Sequence, residues 1–510
     1  MVELQVNTNP DLKSKLIEEQ YLQESTNLPI YLTKIEVVGG ESFSNQFFQN
    51  LLSPILQTGD LTFLQLINKI KSSQSKLIET GIFNKVAIQI LPDNYYSLSS
   101  NKIKSYNKEP SLITKILIDL SAINLSNNQG FLNFNNEEYL NLKLNHINHN
   151  FNGNGELISI GVDYNPYKPL DHLIANGKFI SYLKNPKFKF LIDFQLNQEN
   201  NEVWQDTKQE IIGGKLGLLY GGNKATTTTN DLNFFTGFQL LKRNLINLDD
   251  GNFDSIKFFN GQFLKSSILN QLKFQKIEFL HEQSKNFPKN GYELLFNGEI
   301  SSNQEQLNVN NRNEFIKTDF SINLYKSLFN EFFTTKFQAQ LGGIYSFNNN
   351  NNSKVTPIHP SDKFYLGGYN SFPGFTKNSV ELQGGDQYYK FQATLYSKIP
   401  CLLYAPPPPP PPKSASTISL DNEQDLNPLR VYATGIIGNV VNSSKANLLE
   451  DENGAVSYGF GLKYFNNWAN FDIGYYFSKR LGFTNDGNTN TAGIKDGLHF
   501  SISIGGSNNN

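Results

Sequence analysis

Few residues in this chain have the type and spacing for covalent or metal chemistry. His146 and His149 lie three apart, which in a strand sends their rings to opposite faces, so a shared metal is not expected. Gly384-Gly385-Asp386 is glycine-rich, but no helix follows to hold a phosphate at its N-terminus. Cys401 is the single cysteine and has no motif partner. It excludes an intrachain disulfide and fits a reducing compartment. No catalytic residue, metal or cofactor is expected, and the chain does not read as an enzyme. What remains is the chemistry of backbone edges. Lys495 to Ile504 reads Lys-Asp-Gly-Leu-His-Phe-Ser-Ile-Ser-Ile. Leu498, Phe500, Ile502 and Ile504 share one face of an extended chain; His499, Ser501 and Ser503 share the other. In a membrane both edges of such a strand must be paired. One neighbour is the preceding strand, and the other is the first strand of the same sheet. The stretch therefore calls for a closed barrel with a seam.

The rest of the chain has to supply that barrel. Formal net charge is -2, so no bulk electrostatic argument points to nucleic acid, and none is expected as a partner. Hydrophobic residues make up 38% and mean hydropathy is -0.41, yet aromatics reach 13%, with 40 Phe and 24 Tyr against 2 Trp. No run approaches the ~20 apolar residues of a membrane helix. A barrel hides its hydrophobicity in alternation, so low average hydropathy does not argue against one.

From Tyr139 onward segment after segment alternates. Phe188, Phe190, Ile192, Phe194 and Leu196 oppose Lys189, Asp193, Gln195 and Asn197. Ile316, Thr318, Phe320, Ile322 and Leu324 oppose Lys317, Asp319, Ser321 and Asn323. Tyr458, Phe460, Leu462 and Tyr464 oppose Ser457, Gly459, Gly461 and Lys463. Each segment is near the ~9–11 residues a tilted strand needs to cross a bilayer. A β-sandwich would not usually keep Lys, Asp and Gln on its inner faces. Fifteen strands are clear between Tyr139 and Ile504, with room for another in Ser255–Leu280. The expectation is a mainly β fold: a transmembrane antiparallel β-barrel of sixteen strands over residues 123–504. A flexible tail at 1–27 and a polar tail at 505–510 flank the folded part. The asparagine run Asn348–Asn352 reads as a loop, and the proline run Pro406–Pro412 as a polyproline spacer.

Residues 28–122 have a different period. A strand over Tyr31–Val38 precedes a short helix capped by Ser44 and interrupted by Pro54. Thr62 and Gln65 have capping-box spacing, ahead of a helix with Phe63, Leu66, Ile67, Ile70 and Leu77 near one face. Gly81 is a C-terminal stop. Strands Val86–Leu91 and Ile113–Leu120 complete a β-α-α-β-β unit.

Three motifs carry a family resemblance. Gly81, Phe83 and Val86 are spaced like the G-x-F-x-x-V signature of a POTRA domain, a polypeptide-transport-associated module. Asp362-Lys-Phe-Tyr-Leu-Gly367-Gly368-Tyr-Asn-Ser371-Phe372-Pro373-Gly374-Phe375 resembles the lumenal loop of the bacterial surface antigen superfamily of outer-membrane assembly proteins. Lys495, Gly497, Phe500 and Ile502 match the mitochondrial β-signal pattern. Asn150-Phe151 with Gly155-Glu156 resembles that family's first barrel hairpin. The resemblance spans residues 30–504 and is nearest to the channel-forming core subunits of the mitochondrial sorting and assembly machinery. One departure stands out: the family carries Arg before Gly-Phe, and this chain has Pro373. Either Phe372 and Phe375 hold the loop by packing, or Lys377 substitutes, or the loop is looser.

The resemblance implies a barrel in the mitochondrial outer membrane with the POTRA domain in the intermembrane space. Met1–Leu28 lacks a secretory signal's apolar core and is too acidic for a typical matrix presequence, which fits that compartment. Implied partners are β-barrel precursor polypeptides, peripheral cytosolic subunits of the sorting and assembly complex, and the lipid bilayer. The implied activity is insertion and folding of barrel precursors through a lateral gate between first and last strands. Here those would be Tyr139–His149, with Leu140, Leu142 and Leu144 outward and His146 at the irregular end, and Gly497–Ile504. A polypeptide translocase or channel of the same superfamily is the alternative, and a soluble β-sandwich binding protein a third reading.

Overall fold

The computed structural model describes residues 26–56, 60–94, 112–136, 139–169, 171–221, 229–249, 253–279, 287–305, 312–329, 331–347, 357–399, 428–442, 454–465, 469–481 and 493–507. Cys401, the asparagine run, the proline run and nearly all of the N-terminal tail lie outside these.

The N-terminal unit is a four-stranded sheet with helices on one side. Its elements are β1 (Pro29–Val38), α1 (Asn45–Leu51), α2 (Ser53–Leu56), β2 (Asp60–Thr62), α3 (Phe63–Glu79), β3 (Phe83–Pro92) and β4 (Leu112–Ala122), and its strand order is β2-β1-β4-β3. Ser44 caps α1 by accepting from the Phe47 N–H, and Thr62 with Gln65 closes a reciprocal capping box on α3. Pro54 sits in the first turn of α2, where its missing N–H costs nothing. The apolar face of α3, with Leu66 and Leu77 fully buried, packs on Ile116 and Ile118 of the sheet. The expected β-α-α-β-β order lacked β2, a three-residue strand too short for alternation to show.

The remaining strands form one closed antiparallel barrel of sixteen. They are β5 (Ser126–Asn135), β6 (Tyr139–Asn148), β7 (Leu157–Tyr164), β8 (His172–Tyr182), β9 (Phe188–Asn200), β10 (Thr207–Tyr220), β11 (Thr229–Asn247) and β12 (Gly261–Phe279). They continue as β13 (Pro288–Glu305), β14 (Arg312–Leu328), β15 (Phe333–Ser346), β16 (Gln387–Lys398), β17 (Leu429–Val441), β18 (Ala455–Phe465), β19 (Ala469–Arg480) and β20 (Gly497–Ser507). The barrel is inside-out relative to a globular core. Phe320 and Leu324 are exposed on the outside of β14, while Ser321 and Asn323 between them are buried toward the lumen. The same inversion buries Lys189, Lys265 and Lys390.

Two expectations are corrected. The strand that closes the barrel is β5, not Tyr139–His149, which is β6 and lies one strand in from the seam. Fifteen strands do run from Tyr139 to the C-terminal end, with Gly261–Phe279 among them, and the sixteenth precedes them. β5 was missed because Asn127, Asn128, Gln129 and Gly130 interrupt its alternation, leaving Leu132 and Phe134 as its outward apolar pair. The second correction is at the other edge: β20 does not stop at Ile504, since Gly505, Gly506 and Ser507 still pair with Phe131, Gly130 and Gln129.

Strand direction fixes the ends. β5 starts beside the N-terminal unit, so turns after even-numbered strands face that unit and turns after odd-numbered strands lie at the far end. The turn between β6 and β7 docks on the unit. There the Ser44 N–H donates to the Gly153 carbonyl (2.7 Å) and the Asn150 side-chain amide donates to the Ser42 carbonyl (2.6 Å). Gly155 lies so close to Phe47 and Ile82 that a Cβ there would collide with both. From the next such turn, Tyr182 donates its hydroxyl to the Thr80 carbonyl (2.7 Å) and Lys187 pairs with Glu79 (3.3 Å).

Candidate functional site

The site joins three pieces: the long far-end loop between β15 and β16, the segment ahead of β20, and the β5–β20 seam. The loop turns into the lumen rather than away from it. Phe372 and Phe375 are fully buried against each other (5.3 Å between ring centroids) and against Leu366, Ile436 and Val440. The tip closes on itself, the Phe372 N–H donating to the Gly368 carbonyl (2.8 Å) and the Gly368 N–H to the Phe375 carbonyl (3.0 Å). Gly367, Gly368 and Gly374 sit at φ of +133°, +92° and +94°, a backbone region that side-chain-bearing residues rarely adopt. Ser371 closes the turn by donating its N–H to the Gly368 carbonyl.

Pro373 has neither a charged side chain nor an N–H, and here the wall reaches the loop from its own side. Ser457 donates its hydroxyl to the Pro373 carbonyl (2.5 Å). Arg480 donates to the Ser379 and Val380 carbonyls (2.6 and 3.1 Å) and lies over the Phe375 ring. Lys377 is exposed, so the loop is held by packing and by Arg480 rather than by Lys377.

At its entrance the loop is pinned by charge. Asp362 is buried between Arg243 (2.7 Å) and Lys265 (2.5 Å); Lys265 also meets Glu299 (2.6 Å), and Arg243 donates to Asn303 (2.9 Å). Lys317 donates to the Asp362 carbonyl (2.6 Å) and lies over the Phe364 ring. Burial alone would raise the Asp362 carboxyl, but Arg243 and Lys265 hold it well below the usual carboxylate range. Here the loop carries the acid and the wall the bases. Sequence reasoning missed Arg243 because Leu240-Leu241-Lys242-Arg243 does not alternate, so nothing assigned it to the inner face.

The loop also holds the end of the chain. Lys495 donates its backbone N–H to the Gly374 carbonyl (2.8 Å), the Thr376 N–H donates to the Gly493 carbonyl (2.9 Å), and Phe375 bridges Ile494. The two motifs at Gly367–Phe375 and Lys495–Ile502 are therefore in direct contact. His499 points inward, its Nε2 at 2.9 Å from the Lys495 carbonyl and its ring stacked on Tyr369.

The seam itself pairs Gln129–Asn135 with Ser507–Ser501, seven positions, whereas β11 and β12 pair over the seventeen positions Thr229–Leu245. Phe500 meets Phe134 across it on the outer face (5.4 Å), and Ile502 is directly opposite Phe134. Beyond Ser501 the ladder to β5 stops; the edge of Gly497–Phe500 is met by Asn136, whose side-chain amide donates to the Leu498 carbonyl (3.3 Å). Gly497 has φ +124° with open space where a Cβ would stand. Leu140, Leu142, Leu144 and His146 are one strand away, opposite Phe134, Leu132, Gly130 and Asn128, and the pairing of β6 is regular. His146 Nδ1 lies 2.6 Å from the Asn128 side-chain oxygen. Gly81, Phe83 and Val86 serve the interior of the N-terminal unit: Gly81 turns the chain after α3 at φ +69°, and Phe83 packs on Phe43 and Phe47.

A family model described as the Omp85 superfamily domain matches residues 150–406, about half of the chain. The outer membrane protein assembly factor BamA of Buchnera aphidicola subsp. Acyrthosiphon pisum is 25% identical over 228 residues, which cover 41% of this chain and 36% of that protein. The match thus spans little more than a third of that relative's length. Among solved structures, BamA from Haemophilus ducreyi lacking POTRA domains 1–3 superposes with a TM-score of 0.66 at 14% identity, covering 99% of this chain and 95% of that one. CdiB from Escherichia coli gives 0.50 at 12% identity, over 93% and 76%. At these identities the likeness is one of fold.

Proposed function

Since the chain belongs to the Omp85 superfamily, we propose that it inserts and folds β-barrel precursors into a membrane, with the β5–β20 seam as the gate. The observation that carries this is the offset of the seam. Seven paired positions close the barrel, and among the described residues the β20 edge from Gly497 to Phe500 is met by the Asn136 side-chain amide rather than by a paired strand. An unpaired backbone group in hydrocarbon costs several kcal/mol, so an incoming strand and an open edge relieve each other. Main-chain pairing supplies affinity; alternate side chains such as Phe500 and Ile502 supply selectivity.

The finer reading is the core subunit of the mitochondrial sorting and assembly machinery. It sits in the outer membrane, its N-terminal unit is a POTRA domain facing the intermembrane space, and peripheral subunits bind on the cytosolic side. This rests on the β-signal pattern of Lys495, Gly497, Phe500 and Ile502. The expected absence of catalysis belongs to the same reading: the work is strand exchange. A translocase of the same superfamily is the second reading; it would need a path through the lumen past the loop that Phe372 and Phe375 pack against the wall.

The test is depletion of the protein followed by import of a porin precursor. Precursor should cross the outer membrane and accumulate unassembled. Normal assembly after depletion would sink the proposal, and retention of precursor outside would favour the translocase.

A further inference from the structure

Beside the loop the lumen holds a cavity of about 450 Å³. Tyr369 and Ser371 of the loop form one side of it, and lumen-facing side chains of β15 to β19 form the rest. Four charged residues line it: Lys336, Lys390, Lys463 and Asp472. Asp472 is already matched, since it pairs with Lys463 (3.5 Å) and accepts the Tyr432 hydroxyl (2.8 Å). The nearby Glu293 is taken by Lys273 (2.9 Å) and Asn323 (3.1 Å). Lys336 and Lys390 are left: among the described residues neither forms an ion pair or a hydrogen bond.

Lys390 is only 4% exposed, and what exposure it has is to this cavity. A charge withdrawn from water and left unpaired costs several kcal/mol, so the site calls for a counter-ion. A neutral donor stands ready for it. The Tyr396 hydroxyl lines the cavity and makes no hydrogen bond among the described residues. The hydroxyls of Thr394 and Thr434 also line it, but they are engaged with each other (2.9 Å), with the Gln392 amide and with the Ala393 carbonyl, which leaves the donor role to Tyr396. The volume holds an oxyanion with several waters, each taking about 30 Å³.

We propose that this cavity binds a small oxyanion, a phosphate or a carboxylate, between Lys336 and Lys390 with Tyr396 as a neutral donor. The ligand lies against Tyr369 and Ser371, so occupancy strengthens the docking of the loop. The site does not depend on which polypeptide the barrel handles.

The experiment is calorimetric titration of the full chain in lipid nanodiscs with inorganic phosphate, and separately with glutarate, at constant ionic strength. Saturable binding at one site is expected. K336Q/K390Q should weaken it about tenfold or more, as loss of charge-assisted hydrogen bonds requires, while Lys71→Gln on the N-terminal unit leaves it unchanged. Preference for phosphate assigns the site to free phosphate, and preference for glutarate assigns it to polypeptide carboxylates. If K336Q/K390Q fails to fold, Tyr396→Phe tests the same site by a smaller loss. No saturable binding of either anion, or binding indifferent to these substitutions in folded protein, overturns the proposal.

Discussion

Arg243 of the barrel wall and Asp362 of the lumenal loop meet 2.7 Å apart, and each is almost wholly removed from solvent. Breaking a buried pair by removing one partner strands the other charge, at a cost of about 3–5 kcal/mol. Asp362→Ala should therefore free the loop entrance and lower the unfolding temperature. Limited proteolysis of the folded barrel should show new cleavage near His359–Phe364. An unchanged cleavage pattern would mean that the aromatic packing alone holds the loop.

Acid dependence separates this pair from the rest of the fold. The folded carboxyl of Asp362 lies below its unfolded value, so as pH falls the unfolded chain takes up the proton first. The stabilisation is thus full above the unfolded value of about 4 and is lost as pH falls below it toward the folded value. The stability difference between wild type and Asp362→Asn should stay flat from neutral pH to about 5 and shrink below about 4. Chemical unfolding at stepped pH measures it.

Gly374 leaves no room for a side chain. A Cβ there would run into Ser478 Oγ and Ser457 Oγ, and its φ of +94° is strained for any L-residue. Gly374→Ala should cost about 1–3 kcal/mol of loop docking. Its carbonyl accepts from Lys495, so protection of the Lys495 amide in hydrogen exchange should fall with it.

The seam assignment can be checked by cross-linking. Asn133 and Ser503 face each other across it. In a Cys401→Ser background, Asn133→Cys with Ser503→Cys should oxidise readily to a disulfide, and the locked barrel should stop assembling precursor until reduced. Asn141→Cys with Ser503→Cys spans two strand spacings, about 10 Å, and should not cross-link. The reverse result would put β6 back at the seam.

Docking of the N-terminal unit rests on few polar contacts. Tyr182→Phe removes the bond to the Thr80 carbonyl and should loosen the unit by about 1 kcal/mol. Barrel unfolding should not change, while proteolysis between Ala122 and Ser126 should speed up.

How much of this was legible in the chain depended on alternation. Phe188–Asn197 and Ile316–Leu324 announced both strand and facing, because one side must be uniformly apolar when its solvent is lipid. β5 escaped because its first half is Ser-Asn-Asn-Gln-Gly, residues whose strand role comes only from the neighbours they pair with. Asp362 was read as the start of a motif, but not as a charge in need of partners. Its partners lie on β11 and β12, more than ninety residues earlier, and no local pattern links them. The contact between Gly374 and Lys495 was equally out of reach, since both motifs were visible and their adjacency was a property of ring closure.

Ring closure also couples distant parts of the chain. The last rung joins Ser501 to Asn135, so the loop that must be closed is nearly the whole barrel. Its entropic cost grows slowly with length but is met by only seven rungs. Seating of the far-end loop and closure of the seam are coupled, because Gly374 takes its bond from Lys495, two residues before β20 begins. Until those rungs form, the facing edges of β5 and β20 stay open to pairing with another strand.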